Sequence, residues 1–171
     1  MTTDTINIDA LNAWTALHQL HQMSLLAQKT IAQALAPLDL SLAQASVLFI
    51  LDRANGPLPL SRLARALVQE AQSMTSLIDR LEARGLVRRI PNRRDRRIIH
   101  VALTPEGQQL LCRALPAMGQ GSARAFAALT PDELRTFACL ANRLRNHNAA
   151  LLGVDAAALA PATAYPLVCR D

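Results

Sequence analysis

The 171-residue sequence predicts a mainly α-helical fold with one small β-hairpin. Three observations support this prediction. Hydrophobic residues make up 51% of the chain and aromatic residues only 3%, a composition rich in the helix formers alanine and leucine. Apolar residues recur three and four positions apart through most of the chain, which is the spacing of one helix face. A single pair of short apolar segments flanks an arginine-rich turn, as in two paired strands.

The first predicted helix covers residues 8–36 and is apolar on two sides. One face contains Leu11, Trp14, His18, His21 and Leu25. The second face contains Leu17, Leu20, Ser24, Ala27, Ile31 and Leu35. A helix with two apolar faces must be covered on both, so residues 8–36 are predicted to take part in dimerisation.

Residues 41–104 are predicted to form a helix-turn-helix followed by the hairpin. Ser41 has the position of an N-cap for a second helix, which ends before Asn55-Gly56-Pro57. A short helix opens at Pro59, and after the turn "VQEAQ" another helix ends at Gly85. The buried stripe of that helix is predicted from four residues at helical spacing: Met74, Leu77, Ile78 and Leu81. Two helices joined by a tight turn form a helix-turn-helix.

The hairpin strands are predicted at residues 86–90 and 98–103, with "PNRRDRR" as the tip between them. In the second strand, alternation predicts that Ile99, Val101 and Leu103 point inward.

Thr104 and Pro105 have the pattern of a helix start, and this helix is predicted to reach about residue 129 with a bend near Pro116. Thr130 and Glu133 predict a capping box for the last helix. That helix carries a heptad seam of Leu134, Phe137, Ala141, Leu144, Asn148 and Leu151. Residues 105–152 therefore form the second predicted dimerisation region. The Ala/Pro-rich tail, residues 153–171, is assigned no structure and is expected to be flexible.

The positive charge is concentrated in one segment. The chain has 18 basic and 13 acidic residues, a net charge of +5, and eight of the arginines lie between Arg80 and Arg97. This patch predicts a polyanionic partner, and a solvated charged face is the alternative. No apolar run approaches the ~20 residues that span a bilayer. The first ten residues lack a signal-peptide pattern, so a cytoplasmic protein with no membrane partner is expected.

Three segments between Leu60 and Leu111 occur in a recognisable order: "LSRLARAL", "MTSLIDRLEARGLVRR" and "DRRIIHVALTPEGQQLL". They resemble the MarR family of winged helix-turn-helix transcriptional regulators. The resemblance implies a winged helix-turn-helix with long N- and C-terminal dimerisation helices, which binds duplex DNA as a homodimer. The chain departs from the family pattern at the turn, where Val68 replaces a frequent glycine and Glu70 replaces a serine or threonine cap.

The side chains predicted to contact DNA lie on two elements. One is the second helix of the helix-turn-helix, here called the recognition helix, and the other is the hairpin, here called the wing. Amide and hydroxyl groups on the exposed helix face suit hydrogen bonds to base edges, and arginines suit phosphates. The family's D-x-R pattern implies that Arg97 enters the minor groove and that Asp95 holds it. The predicted set is Gln72, Ser73, Thr75, Ser76, Arg80, Arg84, Arg93, Arg94, Asp95, Arg96 and Arg97.

Trp14, His18 and His21 are predicted to line a small-molecule pocket. The resemblance places the first helix beside the dimer interface and a pocket for aromatic carboxylates or phenols. Tryptophan can stack on an aromatic ring, and histidine can pair with a carboxylate. A dimer seam with partly solvated histidines is an open alternative. A zinc site at the two histidines is another, although no third ligand lies nearby in the sequence.

We therefore predict a ligand-responsive DNA-binding transcriptional regulator, a repressor that binds an inverted-repeat operator as a homodimer. The alternatives are a winged-helix protein-interaction module without DNA binding and a thiol-based redox-sensing regulator. Cys112, Cys139 and Cys169 are widely spaced, which disfavours a disulfide framework or a structural zinc site. No cofactor and no enzymatic activity are expected, because no nucleophile–base set, phosphate loop or metal cluster occurs in the sequence.

Overall fold

The structure is a computed structural model that describes residues 8–92, 95 and 98–154, with side chains from residue 12 onward. Within these residues the chain forms six helices and one three-stranded antiparallel sheet. The helices are α1 Ile8–Leu35, α2 Leu42–Ala54, α3 Leu60–Ala66, α4 Ala71–Ala83, α5 Pro105–Ala125 and α6 Pro131–Leu151. The strands are β1 Leu58–Pro59, β2 Val87–Pro91 and β3 Ile99–Leu103, and a short 3-10 turn, Ala36–Leu38, follows α1. The predicted mainly helical fold with a wing is confirmed.

Reciprocal capping boxes begin two of the helices where the sequence predicts an N-cap. The Ser41 hydroxyl accepts a hydrogen bond from the Gln44 backbone N–H at 3.2 Å, and the Gln44 side chain accepts one from the Ser41 N–H at 2.9 Å. Thr130 and Glu133 form the same reciprocal capping box at α6. The backbone N–H and hydroxyl of Thr130 both donate to the Glu133 carboxylate, and these bonds lower the pKa of Glu133.

The predicted end of one helix differs from the structure. Helix α5 ends at Ala125, not near residue 129, because the chain turns through residues 126–129 before Thr130 caps α6. Pro116 lies inside α5, and the bend at this residue stays a prediction. Glu70 is the N-cap of α4 but its side chain makes no capping bond, which agrees with the absence of a serine or threonine at this position.

The sheet has one strand more than the sequence predicts. Strand β3 is central: it pairs with β2, where Val87 lies opposite Leu103, and with β1, where Leu58 lies opposite Val101. With only two residues, β1 is too short to show an alternating pattern. The predicted alternation in β3 is also partly wrong, because Ala102 is buried as well as Val101, whereas Leu103 is only half-buried.

The core lies where the C-terminal end of α1, helices α2 to α5 and the sheet meet. Its largest buried side chains are Leu35, Leu48, Leu51, Leu63, Met74, Ile78, Leu81 and Leu111. All four residues of the predicted α4 stripe are buried, which confirms that stripe. The opposite face of α4 is consequently left in solvent, where it is available to a partner.

Helices α1 and α6 expose large apolar side chains. Helix α1 packs on α5, and a Cβ on Gly121 would lie 2.9 Å from the Ile31 Cα, so the glycine permits this close contact. Beyond this contact, Trp14 is 67% exposed and Leu151 of α6 is 71% exposed. The other exposed residues on these helices are Leu17, Leu20, Leu25, Leu26, Leu134, Leu140 and Leu144. The division into dimerisation regions at 8–36 and 105–152 and a DNA-binding region at 41–104 stays a prediction.

No single helix in the described part of the chain is both long and apolar enough to cross a membrane. The segments 12–38 and 42–54 meet the length and composition criteria only when taken together, and they are bent by 80° relative to each other.

The turn before α4 holds a valine in the left-handed backbone conformation. Val68 has a φ of 51° and is 80% exposed. A β-branched residue is strained there, because its Cβ approaches the next carbonyl oxygen, at a cost of about 1–2 kcal/mol. Glycine avoids this contact but loses more entropy on folding. We expect Val68→Gly to raise the free energy of unfolding by about 0.5–1 kcal/mol, measured by urea denaturation.

Val68→Ala is the matched control. It removes the branched side chain but keeps the Cβ that causes the strain, so a smaller gain is expected. A Gly variant less stable than the wild-type protein would show that the strain at Val68 is smaller than the entropy that glycine loses on folding.

Candidate nucleic-acid interface

The exposed face of α4 carries polar side chains of the kinds that recognise DNA. Gln72, Ser73, Ser76 and Arg80 are all exposed and line a hollow of about 460 Å³, beside Ala43 of α2. The amide and hydroxyl groups can donate to and accept from base edges. Four of the predicted DNA-contacting residues are thus brought together on one surface.

Thr75 and Arg80 are also fixed by bonds within α4. The Thr75 hydroxyl donates to the Ala71 carbonyl at 2.9 Å, and the Arg80 Nε donates to the Ser76 carbonyl at 3.1 Å. Both residues are exposed, so their side chains remain accessible to a ligand. The Arg80 bond aligns the guanidinium along the helix and beside the hollow.

Arg84 is engaged with the junction between α1 and α2. Its Nη1 donates to the backbone carbonyl of Asp39 at 2.6 Å, and its Nη2 lies 3.8 Å from the Asp39 carboxylate. Asp39 itself has a left-handed φ of 49° and ends the 3-10 turn. Arg84 therefore ties the end of α4 to the start of α2. Its predicted DNA contact stays a prediction.

Hydrogen bonds close the base of the wing tip. The Asn92 N–H donates to the Ile98 carbonyl at 3.1 Å, and the Ile98 N–H donates to the Asp95 carbonyl at 3.0 Å. The Asp95 N–H donates to the Asn92 Oδ1 at 3.3 Å. The other predicted wing residues lie outside the described residues, and their roles stay predictions: Arg93, Arg94, Arg96 and Arg97.

Arg89 joins the wing to the recognition helix. Its Nη1 donates to the Glu82 carboxylate at 2.5 Å, and its Nη2 lies 2.6 Å from the Asp79 carboxylate. The backbone N–H of Arg89 donates to the other Glu82 oxygen at 2.8 Å, and Nη2 reaches the Thr75 carbonyl at 3.4 Å. One side chain of β2 thus contacts α4 along more than one helical turn.

The charge state of Arg89 reflects this environment. Its side chain is only 25% exposed. Burial by itself lowers the pKa of Arg89, but the hydrogen bonds and charges of Glu82 and Asp79 outweigh it and raise the pKa above the ordinary value. Arg89 is therefore a permanently charged link between β2 and α4.

The sequence prediction counted Arg89 only as part of a basic patch and missed this link. A signal was available, because Arg89 alternates onto the same strand face as the buried Val87, where a charge requires a partner. Asp79 and Glu82 are three residues apart and share one side of α4. Because Arg84 and Arg89 are both paired, the patch offers less free positive charge to a polyanion than the residue count suggests.

The three residues predicted to bind a ligand lie on the exposed N-terminal half of α1. Trp14, His18 and His21 are all exposed in the single chain. Their role in binding a small molecule stays a prediction. Among the described residues, no group of three His, Cys, Asp or Glu side chains is arranged to hold a metal ion. Cys112 is half-buried on α5, Cys139 is exposed on α6, and Cys169 lies outside the described residues.

Comparison with known proteins identifies the family. Residues 38–98 match the MarR family model. The chain is 31% identical over 111 residues to the multiple antibiotic resistance protein MarR of Salmonella typhimurium, which covers 64% of this chain and 76% of that protein. It is 31% identical over 117 residues to the uncharacterised HTH-type transcriptional regulator YhbI of Bacillus subtilis, which covers 68% of this chain and 75% of that protein. The chain belongs to the MarR family.

A solved structure of this family contains DNA. A cysteine-to-serine variant of Escherichia coli MarR in complex with operator DNA superposes with a TM-score of 0.69 at 27% identity, covering 74% of this chain and 91% of that chain. The matched relatives are transcriptional regulators and not enzymes. This MarR-family protein is accordingly a DNA-binding transcriptional regulator with a winged helix-turn-helix, in which α4 is the second helix of the motif and β2–β3 form the wing.

Proposed function

We propose that this MarR-family chain is a cytoplasmic homodimeric repressor that binds an inverted-repeat operator and responds to a small ligand. The observation that carries the proposal is the polar face of α4, which lies beside a wing held to the same helix by Arg89. A helix of this kind fits the major groove while the adjacent wing reaches the neighbouring backbone and minor groove. The operator complex of the E. coli relative supports this docking.

The exposed apolar faces support a dimer. Leu17 and Leu20 of α1 and Leu144 and Leu151 of α6 leave large apolar surfaces on one chain. Large exposed apolar side chains in such number favour an interface in a soluble protein. A second copy supplies an identical set of helices, and two-fold symmetry then presents two recognition helices to two half-sites. This is the reason for proposing an inverted repeat.

The wing supplies the second set of proposed contacts. Arg93, Arg94, Arg96 and Arg97 would approach phosphates and the minor groove, and Asp95 would orient Arg97. A carboxylate so close to DNA weakens binding unless it positions another group. The bonds between Asn92, Asp95 and Ile98 support a fixed position for Asp95.

The proposed effector is a small aromatic acid or phenol that binds near Trp14, His18 and His21. These residues lie on α1, which packs on α5, and α5 follows the wing directly. A ligand that favours one spacing of the two recognition helices would shift the population away from the DNA-binding state. If these residues only form a dimer seam, such ligands should leave the fluorescence of Trp14 unchanged.

The experiment that tests the proposal begins with selection of an operator from a random duplex library. Binding to this operator and to a scrambled duplex of the same composition is then measured over a salt series, and the stoichiometry is measured by sedimentation. We expect two chains per operator, an inverted repeat in the selected sequence, and affinity that falls steeply with salt. A folded protein that binds neither duplex at low salt would overturn the proposal in favour of a protein-interaction module.

A further inference from the structure

Glu70 places a negative charge on the surface that meets DNA. It is the N-cap residue of α4, with φ −68° and ψ 150°, and it is exposed. Its side chain makes no capping bond and, within the described residues, has no hydrogen bond or ion pair. It lines the same hollow as Gln72, Ser73 and Arg80. An uncompensated carboxylate on a DNA-binding surface requires an explanation.

The start of a helix normally attracts phosphate, because its free N–H groups and its dipole both favour negative charge. A carboxylate at the N-cap lies next to this partial positive charge and repels a phosphate that approaches the same N–H groups. The start of α4 is therefore poorly suited to the DNA backbone. It is suited to a base edge that donates a hydrogen bond, because an ionised carboxylate is an acceptor only.

Two amino groups in the major groove can donate to such an acceptor: N4 of cytosine and N6 of adenine. Adenine also presents its N7 acceptor next to N6, and two acceptors repel each other. Cytosine presents the N4 donor without an adjacent acceptor on its own edge. The neighbouring Gln72 and Ser73 supply donors for the paired guanine, which is an acceptor at both O6 and N7.

We propose that Glu70 is a specificity-determining residue that accepts a hydrogen bond from the N4 amino group of one cytosine in each half-site. The inference rests on the proposed function, because it requires α4 to lie in the major groove. Glu70 then has two effects of opposite sign. It strengthens binding where the cytosine is present and weakens binding to every other duplex by charge repulsion, so that the ratio of specific to non-specific affinity increases.

The test uses two Glu70 variants of the full-length protein, the selected operator, and operators in which each C·G pair is changed in turn to T·A, and each A·T pair to G·C, in both half-sites. For the wild type we expect one of the C·G changes to weaken binding about tenfold. For Glu70→Ala the same change should alter affinity less than about twofold, because the acceptor is gone. Glu70→Ala should also bind scrambled duplex about two- to threefold more tightly, because one repulsive charge is removed.

Glu70→Gln separates charge from hydrogen bonding. It loses the repulsion but keeps an amide oxygen, so it should bind scrambled duplex as tightly as Glu70→Ala while retaining part of the cytosine preference. Glu106→Gln is the matched control for net charge, since Glu106 is exposed in the first turn of α5, at the end of β3 remote from the wing tip. This control should keep the full cytosine preference.

Three results would overturn the inference. Glu70→Ala could tighten binding to operator and scrambled duplex by the same factor, which would make Glu70 a repulsive charge without base recognition. Every cytosine could keep its full effect in Glu70→Ala. The position whose effect is lost could carry adenine. In each case the wild-type protein still binds its operator specifically, so the outcome differs from a failure of the proposed function, in which the wild type binds no duplex.

Discussion

Replacement of Gly107 by alanine is expected to lower the free energy of unfolding by about 3 kcal/mol, the upper end of the usual cost of overpacking. A Cβ at this position would lie 2.0 Å from the Leu86 carbonyl oxygen and 2.9 Å from the Leu103 Cδ1. The first of these contacts is with the backbone, so no side-chain rotation can relieve it. Either the start of α5 or the start of β2 must move.

Movement at this point would also disturb the wing. The Thr104 N–H donates to the same Leu86 carbonyl at 3.2 Å, and the Thr104 hydroxyl donates to the Gly85 carbonyl at 2.7 Å. The hydroxyl oxygen in turn accepts from the Gly107 N–H at 3.0 Å. Gly107 therefore lies in the set of bonds that fixes the end of α4, the base of the wing and the start of α5.

Urea denaturation of the two proteins measures this effect, with Gly56→Ala as the control. A Cβ added to Gly56 would meet no atom within 4 Å, and the φ of this residue lies outside the left-handed region. Its replacement should therefore change stability by no more than about 1 kcal/mol. If Gly107→Ala unfolded at the same urea concentration as the wild type, the Leu86 carbonyl would not lie as close to α5 as described.

Features that depend on sequence neighbours could be predicted without a structure. Ser41, Thr104 and Thr130 cap their helices, because each hydroxyl accepts a hydrogen bond from the backbone N–H three positions later. The four buried residues of α4 follow from helical spacing alone. The left-handed Gly85 after α4 follows from the same local rule. The polar face of α4 was predictable as the complement of its buried stripe.

Features that depend on distant contacts could not be predicted in this way. Strand β1 exists because Leu58 pairs with Val101, a partner 43 positions along the chain that no local pattern reveals. The need for glycine at position 107 arises from the approach of Leu86. The predictions for Trp14 and for the wing arginines depend on a partner chain or on DNA, so their test is binding.

The link made by Arg89 is expected to matter for both stability and DNA recognition. Arg89→Met removes the bonds to Asp79 and Glu82 and leaves two carboxylates close together on α4. Hydrogen bonds to charged groups contribute about 1.5–3 kcal/mol each, and because this site is partly exposed we expect a total loss near 2 kcal/mol. Urea denaturation measures this loss.

Arg88→Met is the control, because Arg88 is exposed, neighbours Arg89 on the opposite face of β2 and carries the same charge. Loss of a charge alone should weaken binding to operator and scrambled duplex alike. Without Arg89 the wing is no longer fixed against α4, so base contacts and wing contacts cannot form together. We expect Arg89→Met to weaken operator binding about tenfold more than Arg88→Met does, with little further loss on scrambled duplex. Equal losses in the two variants, on both duplexes, would show that Arg89 contributes only its charge and that the wing and recognition helix are positioned by other contacts.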